Sequence, residues 1–217
     1  MEISVTSPFP FEALPRVWRW IEQFRSKVSD DFGPTSLEEF MTVMRAKWDR
    51  QTTWAVSVDG ELGGFIEFER LSPWLGTAHC MFKTEFQGKG VSLKALRIAF
   101  TEMFDTGIGK LAFYTFAGNL AIGSLVCNLG GKREGTLTAQ TLVDGQPTDI
   151  LVYGLTKENF NGKFDTRGAG SGRVDLRVVS IGPTENDHHA EQHDADVHSD
   201  GAGGRQPAPE LVDSATH

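Results

Sequence analysis

Cysteine, tyrosine and positive charge are all scarce in this sequence. Its 217 residues include two cysteines and two tyrosines, and the formal net charge is −8. Cys80 and Cys127 lie in apolar segments without the spacing of a disulfide framework, so we expect buried thiols in a reducing compartment. No run approaches the roughly 18 apolar residues of a membrane span, and the N-terminal residues lack the basic-then-apolar pattern of a targeting segment. These absences predict a soluble, cytoplasmic protein without a membrane partner.

The negative charge is concentrated in the last residues of the chain. Residues 182–217 contain eight acidic residues and one basic residue, Arg205, which leaves a net charge of −1 for residues 1–181. A nearly neutral body has no basic face to replace the counterions of a nucleic acid, so we expect no nucleic-acid partner. Four histidines lie among the acids of this tail: His188, His189, His193 and His198. Metal ligands need fixed geometry, which we do not expect of a solvated polar segment, so we predict no metal site.

The periodicity of apolar residues predicts a mixed α/β domain. Pro15 falls in the first turn of the first helix, and Ser36 with Glu39 forms a capping-box pattern at the start of the second. The predicted helices cover about residues 12–28, 37–48, 93–104 and 119–129, and the predicted strands cover 54–58, 62–71, 74–83, 110–116, 132–142 and 148–155. We assign residues 1–160 to this domain, residues 161–181 to a Gly-rich linker with one further strand over 174–181, and residues 182–217 to an acidic disordered tail.

Two glycines one residue apart, Gly88 and Gly90, lie between a predicted strand and a predicted helix. Backbone N–H groups at a helix N-terminus face the positive end of the helix dipole, and glycine lets an anion approach them closely, so the loop could hold a phosphate. An ordinary strand-to-helix turn is the alternative. The Walker spacing is absent, and the third glycine of a dinucleotide fingerprint is replaced by Leu93, so neither of those nucleotide-binding motifs fits.

The segment Gln87-Gly-Lys-Gly-Val-Ser92 resembles the Gln/Arg-x-x-Gly-x-Gly/Ala loop of the GNAT superfamily of acyl-CoA-dependent N-acyltransferases. Ser92 stands where the family has a small apolar residue. The wider stretch from Lys83 is similar to the "KPEYQGKG" segment of the RimJ/RimL-like branch, which acetylates the N-termini of ribosomal proteins. Asn119 followed by Gly130, and the later Glu134, Asp149 and Tyr153, are similar to the family's last helix and closing hairpin. The resemblance covers about residues 1–160.

This resemblance implies a GNAT fold: a mostly antiparallel sheet with helices on both faces and a splayed pair of parallel strands. Acetyl-CoA would lie as co-substrate between the splayed strands. Main-chain groups near Phe82 and Lys83 would hold its pantetheine arm, and Asn119 would contact the arm from the other side. The amides expected to hold its diphosphate belong to Gln87, Gly88, Lys89, Gly90, Val91 and Ser92.

The match with the family breaks at the residues that move protons. Family members often have a tyrosine seven residues after the helix asparagine and a glutamate about eleven residues before the loop glutamine, and this sequence has Val126 and Gly76 there. As substitutes we predict Glu67 first, then His79 and Tyr114, as catalytic residues. The alternatives are a solvated strand face for Glu67 and a core imidazole for His79. We expect Tyr153 to pack in the closing hairpin, and Ser124 could bond the departing thiolate.

We therefore predict an N-acetyltransferase that moves an acetyl group to a primary amine, on a protein N-terminus or a small molecule, by direct attack. We expect a monomer or homodimer. The alternative is a GNAT-fold binding or structural protein without activity, whose acidic tail is an interaction arm. Acetylation of a nucleic-acid base is a third hypothesis, which the lack of a basic surface disfavours.

The predicted tail gives a first test. Because an unstructured segment contributes little to folding, deletion of residues 183–217 should leave the melting temperature and the affinity for CoA nearly unchanged. Thermal unfolding and calorimetric titration with CoA measure both quantities. A large drop in either would show that the segment is part of the folded domain.

Overall fold

The computed structural model describes residues 1–164, which form seven strands and six α-helices. The strands are β1 (Ile3–Thr6), β2 (Gln51–Val58), β3 (Glu61–Arg70), β4 (Leu75–Phe82), β5 (Lys110–Phe116), β6 (Lys132–Val143) and β7 (Gln146–Thr156). The helices are α1 (Leu14–Gln23), α2 (Arg25–Val28), α3 (Leu37–Lys47), α4 (Val91–Asp105), α5 (Leu120–Asn128) and α6 (Lys157–Phe164). The predicted strand over 174–181 and the predicted acidic tail lie outside the described residues.

All seven strands form one sheet in the order β1-β2-β3-β4-β5-β7-β6. Every neighbouring pair is antiparallel except β4 and β5, which run parallel. The mixed, mostly antiparallel sheet with one parallel pair confirms the fold class predicted from the sequence. Within residues 1–164, none of the helices is long and apolar enough to cross a membrane.

The parallel pair separates after three residues. Leu75–Thr77 lie opposite Lys110–Ala112, and the Thr77 hydroxyl donates a hydrogen bond of 3.0 Å to the Ala112 carbonyl. Beyond this point residues 78–82 of β4 have no partner on β5 among the described residues. Since β5 continues by pairing with β7, the two strands diverge and open a cleft in the sheet. This is the splayed pair that the family resemblance implies.

The two faces of the sheet are covered by different helices. Alternate residues of a strand point to opposite faces, so Ile66 and Phe68 pack into the core under α4, whereas Phe65 packs into a second core under α1 and α3. The first core includes Phe100 of α4, and the second includes Trp18 of α1. Glu67 lies on the same face as Phe65, the face covered by α1 and α3.

The N-terminal helices begin where the sequence indicates. Pro15 lies in the first turn of α1, and the Ser36 hydroxyl caps α3 by accepting from the Glu39 amide at 3.2 Å. The Glu39 carboxylate accepts hydrogen bonds from the amide and the hydroxyl of Thr35, which lower the pKa of Glu39. The single helix predicted over residues 12–28 is wrong in one respect, because the backbone leaves helical geometry at Phe24 and divides it into α1 and α2.

Two elements and one cysteine differ from the sequence-based expectation. Strand β1 and helix α6 were not predicted, and α6 continues past residue 160, where we placed the end of the domain. The expectation of two buried thiols is wrong for Cys127, which lies on the exposed side of α5. Burial raises the pKa of the Cys80 thiol to about 12, so this thiol stays protonated.

Candidate functional site

A cleft of about 460 Å³ fills the space between the diverging strands. Its walls come from β4 and β5, from α5 on one side and from α1, α2 and α3 on the other. The apolar lining residues include Val17, Ile21, Phe40, Met44, Phe65, Phe100, Phe113, Ile122, Leu125 and Val126. The charged or hydrogen-bonding side chains that line it include Lys27, Asp30, Lys47, Glu67, His79, Tyr114 and Asn119. The cleft is therefore mainly apolar, with a few polar groups at fixed positions.

The glycine loop joins β4 to the first turn of α4. Gly88 and Gly90 have φ angles of +73° and +76°, a left-handed conformation that glycine adopts without strain. Gly90 is the N-terminal cap of α4, and within residues 1–164 no side chain hydrogen-bonds to this end of the helix. A Cβ at either glycine would meet no atom of the described chain within 4 Å. The amides of the first turn of α4 lie at the positive end of the helix dipole and have no side-chain cap among the described residues.

Several of the predicted loop residues hold the loop in place. The Gln87 side-chain amide donates to the Phe82 carbonyl at 3.0 Å, which ties the loop to the end of β4. The Phe82 ring and the Val91 side chain are buried, so only the main-chain groups of these two residues are available to a ligand. Lys83 pairs with Glu61 and Glu85, and its hydrogen bond to Glu61 raises the pKa of its ammonium. Lys89 is exposed and Ser92 is half-buried.

Glu67 is held in an ion pair on the wall of the cleft. Only 6% of the residue is exposed, and its Oε1 lies 2.9 Å from Nζ of Lys47. The solvated strand face, which was the alternative for this residue, is therefore not what the structure shows. The carboxylate already has a cationic partner, so it is not a free base.

His79 lies beside Glu67, because the two are register partners on the antiparallel strands β3 and β4. Such partners place their side chains on one face, with Cβ atoms about 5 Å apart. The His79 ring is exposed along the cleft rather than packed in the core. The surrounding walls restrict its hydration and lower its pKa below 6.5, and the charge of Glu67 only partly opposes this effect. His79 is therefore mainly neutral at pH 7 and able to accept a proton.

The opposite wall carries Tyr114 and Asn119. Tyr114 on β5 is 48% exposed and lines the cleft. The Asn119 side-chain amide donates to the Lys27 carbonyl at 3.2 Å, so it joins the start of α5 to the end of α2. Tyr153 is buried against Gly123 of α5, as expected for a packing residue of the closing hairpin. The structure thus brings Glu67, His79, Tyr114 and Asn119 to one cleft.

Ser124 is a predicted site residue that does not line the cleft, and the predicted loop residues from Phe82 to Ser92 do not line it either. Ser124 is exposed on α5, whereas the side chains at 122, 125 and 126 of that helix line the cleft. Val126 accordingly presents an apolar wall at the position where the family often has a tyrosine. At the position of the family's glutamate, a Cβ on Gly76 would overlap the Phe68 ring, so this site has no room for a side chain.

Lys47 is a site residue that the sequence did not indicate. It ends α3, where a cation is commonly found because it interacts favourably with the helix dipole. Nothing in the sequence links it to Glu67, twenty residues away. Only the packing of α3 on the sheet shows the pair.

Comparisons with known proteins agree with this geometry. The sequence profile of the family described as "Acetyltransferase (GNAT) domain" matches residues 8–132, more than half of the chain. The chain belongs to the GNAT acetyltransferase family. This membership confirms the resemblance seen in the glycine loop, and the matched residues include β2 to β5, the loop and α5. A comparison with curated proteins gives no significant match.

Solved GNAT structures share the fold at low sequence identity. Mycobacterium smegmatis RimJ in complex with CoA-disulfide is 17% identical with a TM-score of 0.60, over 72% of this chain and 82% of that one. Spermidine N-acetyltransferase from Vibrio cholerae in complex with CoA and spermine is 14% identical with a TM-score of 0.63, and the match covers 73% of this chain and 97% of that one. An N-acetyltransferase from Staphylococcus aureus Mu50 is 19% identical with a TM-score of 0.60, and the match covers 72% of this chain and 99% of that one.

Proposed function

We propose that the protein is an N-acetyltransferase that uses acetyl-CoA and acetylates a primary amine. The observation that carries the proposal is the uncapped helix N-terminus at Gly90, which follows a loop of two glycines with open space around them. A diphosphate fits such a position because it accepts several N–H hydrogen bonds and opposes the helix dipole. Lys89 is exposed on the same loop and adds a positive charge. A protein that only served as a scaffold would have no need of this arrangement.

The chain's main-chain groups would hold the rest of CoA. On the side that faces β5, residues Ala78 to Phe82 of β4 have no strand partner among the described residues, and residues 78–81 line the cleft, so main-chain groups on this side can bond an extended ligand. Asn119 lies across the cleft, at the start of α5. Bound acetyl-CoA would supply the activated acetyl group, and a strand N–H that polarises its carbonyl would account for much of the acceleration.

The groups that move protons lie on both walls. The amine nitrogen must lose a proton as it forms the new bond to the acetyl carbon, and His79 accepts this proton because it is exposed to the cleft and neutral at pH 7. Glu67, the residue ranked first from the sequence, acts through its position beside His79, where its charge favours the imidazolium that forms. As the C–S bond breaks, the Tyr114 hydroxyl donates a proton to the departing sulfur.

The direct test of the function combines binding with turnover. Calorimetric titration with CoA measures whether the loop binds it, and mass spectrometry measures the transfer of labelled acetyl groups to a panel of peptides and small amines. Both binding and transfer are expected. Binding of CoA without transfer to any amine would select the alternative of a GNAT-fold binding protein, and absence of binding would exclude both.

The pH dependence tests the role of His79. Because its pKa is lowered below 6.5, kcat/KM should rise through an apparent pKa below 6.5 and level off near pH 7. His79→Gln should remove this rise and lower kcat/KM by about 100-fold, the lower end of the rate enhancement that a general base usually contributes. Glu69→Gln is the control, because it keeps the imidazole and removes only a weak charge effect that raises the pKa of His79, so the rise should remain at a slightly lower pH. A pH profile that is the same in His79→Gln and the unaltered protein would exclude His79 as the base.

A further inference from the structure

We propose that Lys47 determines which amines the cleft accepts, and that it selects amines with an apolar body over amines that carry a second positive charge. The inference rests on the proposed function, since it names the acceptor class of that same site. It follows from the pairing of Lys47 with Glu67 and from the charges of the other side chains in the cleft.

The Lys47–Glu67 pair is built into the cleft wall. Lys47 is the last residue of α3 and Glu67 lies in the middle of β3, and their side chains are 27% and 7% exposed. The 2.9 Å contact is a charge-assisted hydrogen bond, which restrains both side chains. Met44, one helical turn before Lys47, lines the same wall. An incoming ammonium would therefore find the Glu67 carboxylate already paired with a cation.

The other acidic side chain that lines the cleft is also engaged. Both carboxylate oxygens of Asp30 accept hydrogen bonds, one from the Thr141 hydroxyl at 2.7 Å and one from the Phe32 amide at 3.2 Å. Lys27 also lines the cleft. Among the described residues that line the cleft, the acids and the lysines are thus equal in number, and the side chain of His79 is mainly neutral.

An ammonium group that enters such a cleft loses hydration without gaining a carboxylate that lacks a hydrogen-bond partner, which is unfavourable. An aliphatic or aromatic group gains by burial against Phe40, Met44 and Phe65. The favoured acceptor therefore has one amine, which reacts, attached to an apolar body. The Lys47 ammonium excludes polyamines by occupying the place where their second charge would bind. Specificity of this kind comes from disfavouring the competitor.

Removal of Lys47 should reverse the preference. In Lys47→Met the Glu67 carboxylate keeps its buried position but loses its partner, and a buried unpaired charge is costly. The second ammonium of a diamine can restore the pair while the first amine reacts. Lys47→Arg keeps a positive charge beside Glu67 and should retain the original preference. In the double variant Lys47→Met/Glu67→Gln no carboxylate remains to bind the ammonium, so the reversal should disappear.

The experiment compares pentylamine with 1,5-diaminopentane, which have the same carbon chain and differ by the second amine. For each variant the ratio of kcat/KM for the diamine to that for the monoamine is measured, after correction for the two equivalent amines of the diamine. Calorimetric Kd values for both amines with the CoA-saturated protein give the same ratio without turnover. We expect the unaltered protein to favour pentylamine, and Lys47→Met to shift both ratios about tenfold or more toward the diamine, mainly through KM.

The outcomes separate this inference from the proposed function. Unchanged ratios in Lys47→Met, or a preference of the unaltered protein for the diamine, would overturn the role of Lys47. A shift that persists in the double variant would overturn the role of the Glu67 carboxylate. If neither amine is acetylated although both bind, the proposed function is not supported for small amines, while the Kd ratios still decide the inference. If Lys47→Met lacks a cooperative unfolding transition, Lys47→Gln makes the same comparison, because its side chain is also uncharged.

Discussion

Gly90→Val is expected to weaken CoA binding about 100-fold. The φ angle of Gly90 is +76°, which a β-branched residue adopts only with strain, so the loop must change conformation and move the amides at the start of α4. Loss of two charge-assisted hydrogen bonds, each worth about 1.5 kcal/mol at the low end, corresponds to this factor. Calorimetric titration with CoA measures the affinity, and urea unfolding shows how much of the protein is folded.

Gly60→Val is the matched control for this prediction. Gly60 lies in the turn between β2 and β3 with a φ angle of +84°, and a Cβ there meets no atom of the described chain within 4 Å, as at Gly90. The two substitutions should therefore destabilise the fold by similar amounts, about 1 to 3 kcal/mol each. Only Gly90→Val should impair CoA binding. Equal affinities in the two variants would show that the loop does not hold the diphosphate.

Gly76→Glu, which places a glutamate where other family members often have one, is expected to destabilise the protein by about 4 kcal/mol. The new Cβ overlaps the Phe68 ring, and the carboxylate is forced into the core under α4 or displaces the strand. Overpacking alone costs about 1–3 kcal/mol, and a poorly solvated charge adds to it. The free energy of unfolding in urea gives the effect. The substitution should therefore not increase the rate of acetyl transfer.

Gly135→Glu serves as the control for charge and strand propensity. Gly135 lies in β6, has no positive φ angle, and a Cβ there meets no atom of the described chain within 4 Å. Its substitution should change the free energy of unfolding by less than about 1 kcal/mol. The double variant Gly76→Glu/Phe68→Ala should be more stable than the sum of its single changes predicts, because the second change removes the overlap. If the effects of the two single changes on the free energy of unfolding were strictly additive, the overlap with the Phe68 ring would not be the cause of the destabilisation.

The fold was predictable because its local signals are strong. Strand β5 was predicted with the bounds that the structure gives, and the ends of α5 differ by one residue. Strand β1 was missed although Ile3 and Val5 alternate with polar residues, since four residues give too short a pattern. Helix α6 was missed because its apolar face consists of only Phe160 and Phe164. Its stability comes from packing on the domain, which a local pattern does not show.

The functional site was predictable only where its residues are consecutive in the sequence. The loop from Gln87 to Ser92 is such a case, because backbone conformation and helix start are both local. The ion pair of Glu67 was not predictable, because its partner Lys47 lies on a different element, helix α3. The sequence also does not explain why position 76 is a glycine. The structure explains it, because a side chain there would overlap the Phe68 ring. The catalytic roles of Glu67, His79 and Tyr114 stay predictions.

The unequal burial of the two cysteines provides a way to observe the cleft. Alkylating reagents react with thiolates, and Cys80, with a pKa of about 12, presents almost none at neutral pH. Cys127 is exposed, and it neighbours Val126, whose side chain lines the cleft. A fluorophore attached by maleimide chemistry would therefore label a single position on the outer surface of α5. Its emission would report movement of that helix as ligands enter, without any substitution in the chain.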